Sequence, residues 1–231
     1  FGVIRATGVV EHRSRVAGGR QVGPLPLAGL LHPALGAGRV MAYELGAERA
    51  QAEAQRAAVE LGRTDREPTV ELAADVTERG AHWIDSPVSG STALAEKGEL
   101  TLMLGGETDA IERAAPVFDA ISRQRFHLGG AGAGAAMKLA VQAVLAVLNE
   151  AVAEGLVLAE RAGIARDAAY DVFSGVVVAA PYVLYKRDAF VRPDDTPVAF
   201  TVDLMRKDLR LVFELAREAG IELPAVRAAD E

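Results

Sequence analysis

The chain contains no cysteine, which removes disulfides and thiolate metal sites from consideration. Its four histidines, His12, His32, His82 and His127, are scattered and show no ligand spacing, so no metal constellation stands out. Basic residues are in the minority, 25 Lys and Arg against 32 Asp and Glu, giving a net charge of −7. No basic surface for nucleic acid is implied. There is no G-x-S-x-G elbow and no P-loop. No signal peptide is visible. The longest apolar run, 139–148, is too short for a bilayer span and carries Gln142. A cytoplasmic protein with neither membrane nor nucleic acid partners is the expectation.

Half of the 231 residues are apolar, a composition for a packed core in one large domain or two small ones. The charge is uneven. Residues 1–40 hold five Arg against one Glu, or +4, which leaves −11 on residues 41–231.

The organising stretch runs from Gly129 to Gly163. It opens with Gly129, Gly130, Gly132 and Gly134 and continues without a breaker from Ala135 to about Ala162. At ~1.5 Å per residue this predicts a helix roughly 40 Å long. Its first half is apolar at nearly every position and is expected to be buried all round. Into its first turns the sequence places Lys138, followed by Gln142 and Asn149 on one stripe. A lysine desolvated near the positive end of a helix has a lowered pKa and exchanges protons near neutrality. A lysine snorkelling to water fits the same stretch.

Ahead of that helix, Phe1–Ile4 and Val9–Val10 read as strand stubs, and Glu11–His32 as loop. Met41–Leu61 is Ala- and Glu-rich and reads as a helix ended by Gly62, and Thr69–Arg79 as another capped by Gly80. His82–Val88 is a strand leading to Ser89-Gly90-Ser91. Strand Leu100–Leu104, helix Thr108–Ile121 and strand Arg125–Leu128 follow. This alternation predicts an α/β part over residues 1–130. Beyond the long helix come Arg166–Phe173, Val177–Ala189 and Ala199–Ala219, so residues 131–231 are expected to be all-α.

Several short motifs suit chemistry. The small residues of Asp85-Ser86-Pro87-Val88-Ser89-Gly90-Ser91 follow a strand, where backbone N–H groups and a hydroxyl can cradle a carboxylate. An ordinary strand exit reads the same way. Phe200, Leu204 and Lys207-Asp208 share one face of the last strong helix, where a lysine can reach a cofactor phosphate or sugar, or form a surface ion pair.

Together these motifs resemble the β-hydroxyacid dehydrogenases, such as 3-hydroxyisobutyrate dehydrogenase and glyoxylate/succinic semialdehyde reductase. The resemblance rests on Asp85-x-Pro87-Val88-Ser89-Gly90, Gly98-x-Leu100 with Gly105-Gly106, Gly132-x-Gly134-x-x-x-Lys138, and Phe200-x-x-x-Leu204-x-x-Lys207-Asp208-Leu209. Their order and spacing agree with the family over about residues 69–220. It implies a Rossmann-like α/β domain followed by an all-α domain on a long central helix, as in 6-phosphogluconate dehydrogenase-like proteins. By resemblance, Lys138 is the general acid/base. Ser89, Gly90, Ser91 and Gln142 bind a small carboxylate substrate, and Gly134, Phe200 and Lys207 lie against NAD or NADP. A homodimer or higher homo-oligomer is implied as well.

The sequence departs from the family in two places. Gln142 stands where the family commonly has Asn. In Pro33-Ala34-Leu35-Gly36-Ala37-Gly38, Pro33 and Leu35 replace the first two glycines of the dinucleotide turn, and neither allows close approach to a pyrophosphate. An incomplete nucleotide domain is therefore expected, and with it an alternative reading as a remnant or oligomerising module without cofactor.

Overall fold

A computed structural model describes residues 39–44, 56–61, 66–78, 80–198 and 200–231. The expected stubs at Phe1–Ile4 and Val9–Val10, the loop through His32 and the Pro33–Gly38 turn lie outside them. The chain divides into two compact units, residues 1–138 and 139–231.

The first unit is built on a six-stranded mixed sheet. Strands β1 (Arg39–Glu44) and β2 (Arg56–Leu61) pair antiparallel, and β2 pairs in parallel with β3 (His82–Ser86). Helix α1 (Arg66–Glu78) makes the crossover between β2 and β3, the connection a parallel pair requires. Both described ends of Met41–Leu61 are thus strand, where the composition predicts helix. Alanine favours a helix locally, but β2 lies along β3 from Ala57–His82 to Leu61–Ser86 and buries Val59. Tertiary pairing overrides the propensity.

Beyond Ser86 the chain passes Pro87 into β4 (Val88–Ser89). Both β3 and β4 pair antiparallel with β5 (Leu100–Gly106), Ile84 opposite Gly106 and Val88 opposite Leu102. The Pro87 carbonyl accepts from the Met103 N–H at 3.0 Å, so the two strands form one continuous edge. Between them and β5 lies the short helix α2 (Thr92–Glu96). On the sheet pack α3 (Thr108–Arg113) and α4 (Ala115–Ile121), then β6 (Ser122–His127) pairs in parallel with β5. The expected single helix over 108–121 breaks at Ala114 because Pro116 has no N–H for the helical ladder. Ile84, Leu102, Leu104, Ala110, Ala114 and Phe118 form the core between sheet and helices.

Helix α5 (Ala133–Arg161) carries the chain from the first unit into the second. From Leu139 on, its buried positions, Leu139, Gln142, Ala146, Val152 and Leu156, form one stripe. Met137 is 41% exposed and Val144 67%, so the burial all round expected of its first half does not hold within this chain. Length and composition would also suit a bilayer, but the stripe is already covered. Leu139 and Ala146 pack on Leu209, Val212 and Val226, and Val152 and Leu156 on Ala169, Tyr170 and Val183.

These partners come from α6 (Arg166–Gly175), α7 (Pro181–Tyr185), α9 (Val202–Glu218) and α10 (Pro224–Asp230). A further short helix, α8 (Arg187–Val191), follows α7. The expected helix over 177–189 is thus two. Pro181 fixes where α7 begins. The Tyr170 hydroxyl donates to the Val183 carbonyl at 2.8 Å, the acceptor that Arg187 N–H would need to continue the ladder. Phe118 is fully buried, so Phe118→Ala is expected to destabilise the chain by about 3–5 kcal/mol, measured by urea denaturation.

Candidate active site

Strand β3 carries a buried carboxylate one residue before its end. Asp85 is 2% exposed, and each of its oxygens takes one backbone donor. Oδ1 accepts from Gly132 N–H at 2.7 Å and Oδ2 from Ala135 N–H at 2.9 Å. The first N–H groups of a helix have no acceptor within it, so Asp85 satisfies two donors at the start of α5. Burial pushes its pKa above the ordinary carboxylate value, while the N–H groups of Gly132 and Ala135 pull it back.

The surrounding glycines make room for this contact. A Cβ on Gly105, opposite Asp85 in the sheet, would collide with Asp85 Oδ1. On Gly134 it would collide with the Met103 carbonyl and lie 2.7 Å from Asp85 Oδ2. Gly134, expected beside the cofactor, is buried against β3 and β5. A glycine-rich turn before a helix ordinarily offers its N–H groups to a phosphate. Here the Gly132 and Ala135 donors are taken by a carboxylate, so this turn does not fit a pyrophosphate.

Three residues beyond Ala135 stands Lys138, half-buried and engaged by its surroundings. The loop Ser89-Gly90-Ser91 is exposed and follows directly from β4. Gly90 takes a φ of +145°, a conformation open to glycine, and a Cβ there would lie 2.8 Å from Leu100 Cδ2. Ser91 caps α2, its hydroxyl accepting from Leu94 N–H at 3.4 Å. Ser89 thus keeps the hydroxyl that is not committed to a cap.

In the second unit, Gln142 is 4% exposed and its Nε2 donates to Asp208 Oδ2 at 2.6 Å. Asp208, on α9, is also buried. Lys207 Nζ lies 2.8 Å from Asp208 Oδ1, within ion-pair distance but not aligned as a hydrogen bond. The Lys207 side chain remains 47% exposed and keeps donors for a phosphate or ribose. Phe200 is half-buried just before α9, and Thr201 caps that helix by accepting from Leu204 N–H at 3.3 Å. Asn149 accepts from the Tyr182 hydroxyl at 2.8 Å. Burial pushes that hydroxyl up to about 12, so it remains a donor at neutral pH. The stripe read from the sequence therefore divides. Gln142 holds α9, Asn149 holds α7, and Lys138 lies beside the Asp85 junction.

Sequence reading missed Asp85 and Asp208 as partners of the site, although both stand inside the quoted motifs. The available signal was the choice of an acid at a strand interior and on an apolar helix face, where a charge requires a donor. Replacing Gln142 with Leu leaves the buried Asp208 without its amide donor. The expected cost is about 1.5–3 kcal/mol, read as a shift of the denaturation midpoint.

Comparison with known proteins matches both parts of the chain. Residues 39–129 match the family described as the NAD binding domain of 6-phosphogluconate dehydrogenase. Residues 132–231 match the family described as NAD-binding of NADP-dependent 3-hydroxyisobutyrate dehydrogenase. Glyoxylate/succinic semialdehyde reductase 1 of Arabidopsis thaliana is 31% identical over 173 residues, 75% of this chain and 60% of that protein. A cytokine-like nuclear factor N-PAC of Aedes aegypti is 30% identical over 173 residues, only 31% of its own length. The crystal structure of 3-hydroxyisobutyrate dehydrogenase from Salmonella typhimurium superposes with a TM-score of 0.67 at 32% identity, covering 74% of this chain and 61% of that one. The chain thus spans about three-fifths of the reductase and dehydrogenase it matches. With consecutive matches over 39–129 and 132–231, it belongs to the β-hydroxyacid dehydrogenase family.

Proposed function

We propose that the chain takes part in reversible NAD(P)H-dependent reduction of a small semialdehyde or 2-oxo acid, with Lys138 as general acid/base. The observation that carries this reading is the half-buried Lys138 at the start of α5, beside the strand that leads into Ser89-Gly90-Ser91. The names of the Arabidopsis and Salmonella relatives point to the same reaction class.

The nicotinamide, when bound, donates or accepts the hydride. The chain's own residues bind, orient and move the proton. Lys138, as the ammonium, gives a proton to the substrate oxygen during reduction and takes it back during oxidation. Ser89 hydroxyl and Gly90 N–H hold the substrate carboxylate. The cofactor phosphates or ribose are assigned to Lys207, whose half-exposed ammonium has donors to spare. In this reading residues 1–130 serve the nucleotide, apart from the Ser89–Ser91 loop, and residues 131–231 serve substrate binding and dimerisation, apart from Lys207. The exposed Val144 and Leu158 on α5 favour a homodimer.

Fluorescence titration with NADPH and NADH is expected to show binding of at least one, and turnover is expected with succinic semialdehyde or glyoxylate. Lys138→Ala is expected to lower kcat by about 10²–10⁴-fold with an unchanged circular dichroism spectrum. Absence of binding by both nucleotides would reject the activity and favour a non-enzymatic module. Light scattering is expected to give a mass of two chains or more; a stable monomer would count against the dimer.

A further inference from the structure

The start of α5 is capped in an unusual way. In an ordinary capping box, the N-cap side chain bonds the N–H three residues on, and the side chain there bonds back to the N-cap N–H. In α5 the carbonyl of Gly132 accepts the first helical bond, from Ala136 N–H at 3.0 Å, so Gly132 is the N-cap and Ala135 stands three residues on. Neither has a side chain able to cap. Asp85, 47 and 50 residues earlier, bonds both N–H groups with one carboxylate. Gly105 and Gly134 press on that carboxylate so closely that neither position accepts a Cβ.

The same strand leads to the loop proposed to grip the substrate. From Asp85 the chain runs through Pro87 into β4 and reaches Ser89 four residues later. On the other side, Lys138 is three residues beyond Ala135, close to one helical turn. The loop, however, is held without Asp85. Val88 and Ser89 pair with Leu102 and Thr101 of β5, and Ser91 is fixed as the α2 cap.

We infer that Asp85 is a positioning residue, a capping box supplied from the sheet that holds the first turn of α5, and with it Lys138, in register with the Ser89–Ser91 loop. The inference rests on the proposed role of Lys138. It assigns a function to the acid of the Asp85-x-Pro87-Val88-Ser89-Gly90 motif, and to the glycines at 105 and 134, through their contact with that acid. Removing the carboxylate frees the helix start while β4 keeps the loop in place, so the effect falls on the chemical step and spares substrate grip. A misplacement of about 1 Å at the reacting centre costs on the order of 10²-fold in rate.

The test compares the parent with Asp85→Asn, Asp85→Ala and Lys138→Ala, by kinetics and by amide hydrogen exchange well below the unfolding temperature. Asp85→Ala is expected to lower kcat about 10–100-fold with KM for the carboxylate substrate within about twofold. Asp85→Asn, which retains one acceptor oxygen, is expected to recover part of that loss. Exchange at Gly132 and Ala135 is expected to accelerate in Asp85→Ala and less in Asp85→Asn, with residues 139–161 unchanged. An unchanged kcat, or a rise in KM at constant kcat, would overturn the inference. Equal rates for Lys138→Ala and the parent would instead overturn the role given to Lys138. If the parent shows no turnover, hydrogen exchange decides. Acceleration confined to residues 132–138 supports the tether, and unaltered exchange there, or acceleration spread along the whole helix, overturns it.

Discussion

A buried carboxylate with two backbone donors is the interaction on which the first unit depends. Asp85 ties the end of a sheet strand to the start of the longest described helix. An ionised group removed from water requires hydrogen bonds and favourable charge nearby. Gly132 and Ala135 supply the bonds, and the positive end of α5 supplies the charge. Gly105 and Gly134 follow from the same contact, because the oxygen atoms occupy the space a Cβ would need. A glycine-rich turn that looks built for phosphate is thus occupied by the protein's own acid.

The second unit repeats the device with different partners. Gln142 and Asn149 are polar groups in the largely apolar middle of α5, and each ends in a hydrogen bond to a neighbouring helix. The Gln142–Asp208 bond ties α5 to α9, and Tyr182–Asn149 ties it to α7. Unlike the apolar contacts around them, these bonds are directional and select one helix register. Gln142 reaches Asp208 through its amide nitrogen. Its amide nitrogen is thereby committed to the carboxylate, which leaves its carbonyl as the group with acceptor capacity to spare.

Membership of the family does not carry a substrate with it. The relatives include a reductase named for glyoxylate and succinic semialdehyde and a nuclear factor named for no reaction, at nearly the same identity to this chain. What separates such proteins is the chemistry of a few side chains on a common scaffold. In this chain the side chains proposed for that part are a half-buried lysine, an exposed loop with a serine hydroxyl outside the α2 cap, and a lysine beside a buried aspartate.

The long helix, the strand ahead of Ser89 and the amphipathic α9 could be read from the order of residues, because periodicity, capping residues and glycine stops act over one or two turns. The family was legible for a related reason, since its motifs are short and keep their spacing. Other features formed only when distant segments met. Arg56–Leu61 is a strand because β3 lies beside it, and the Val183 carbonyl of α7 takes a hydroxyl 13 residues away. Asp85 looked like one more residue of a loop motif until its partners, 47 and 50 residues further along, closed on it. Local preferences are small, a few tenths to about 1 kcal/mol per residue, so burial and hydrogen bonding between remote segments decide wherever the two disagree.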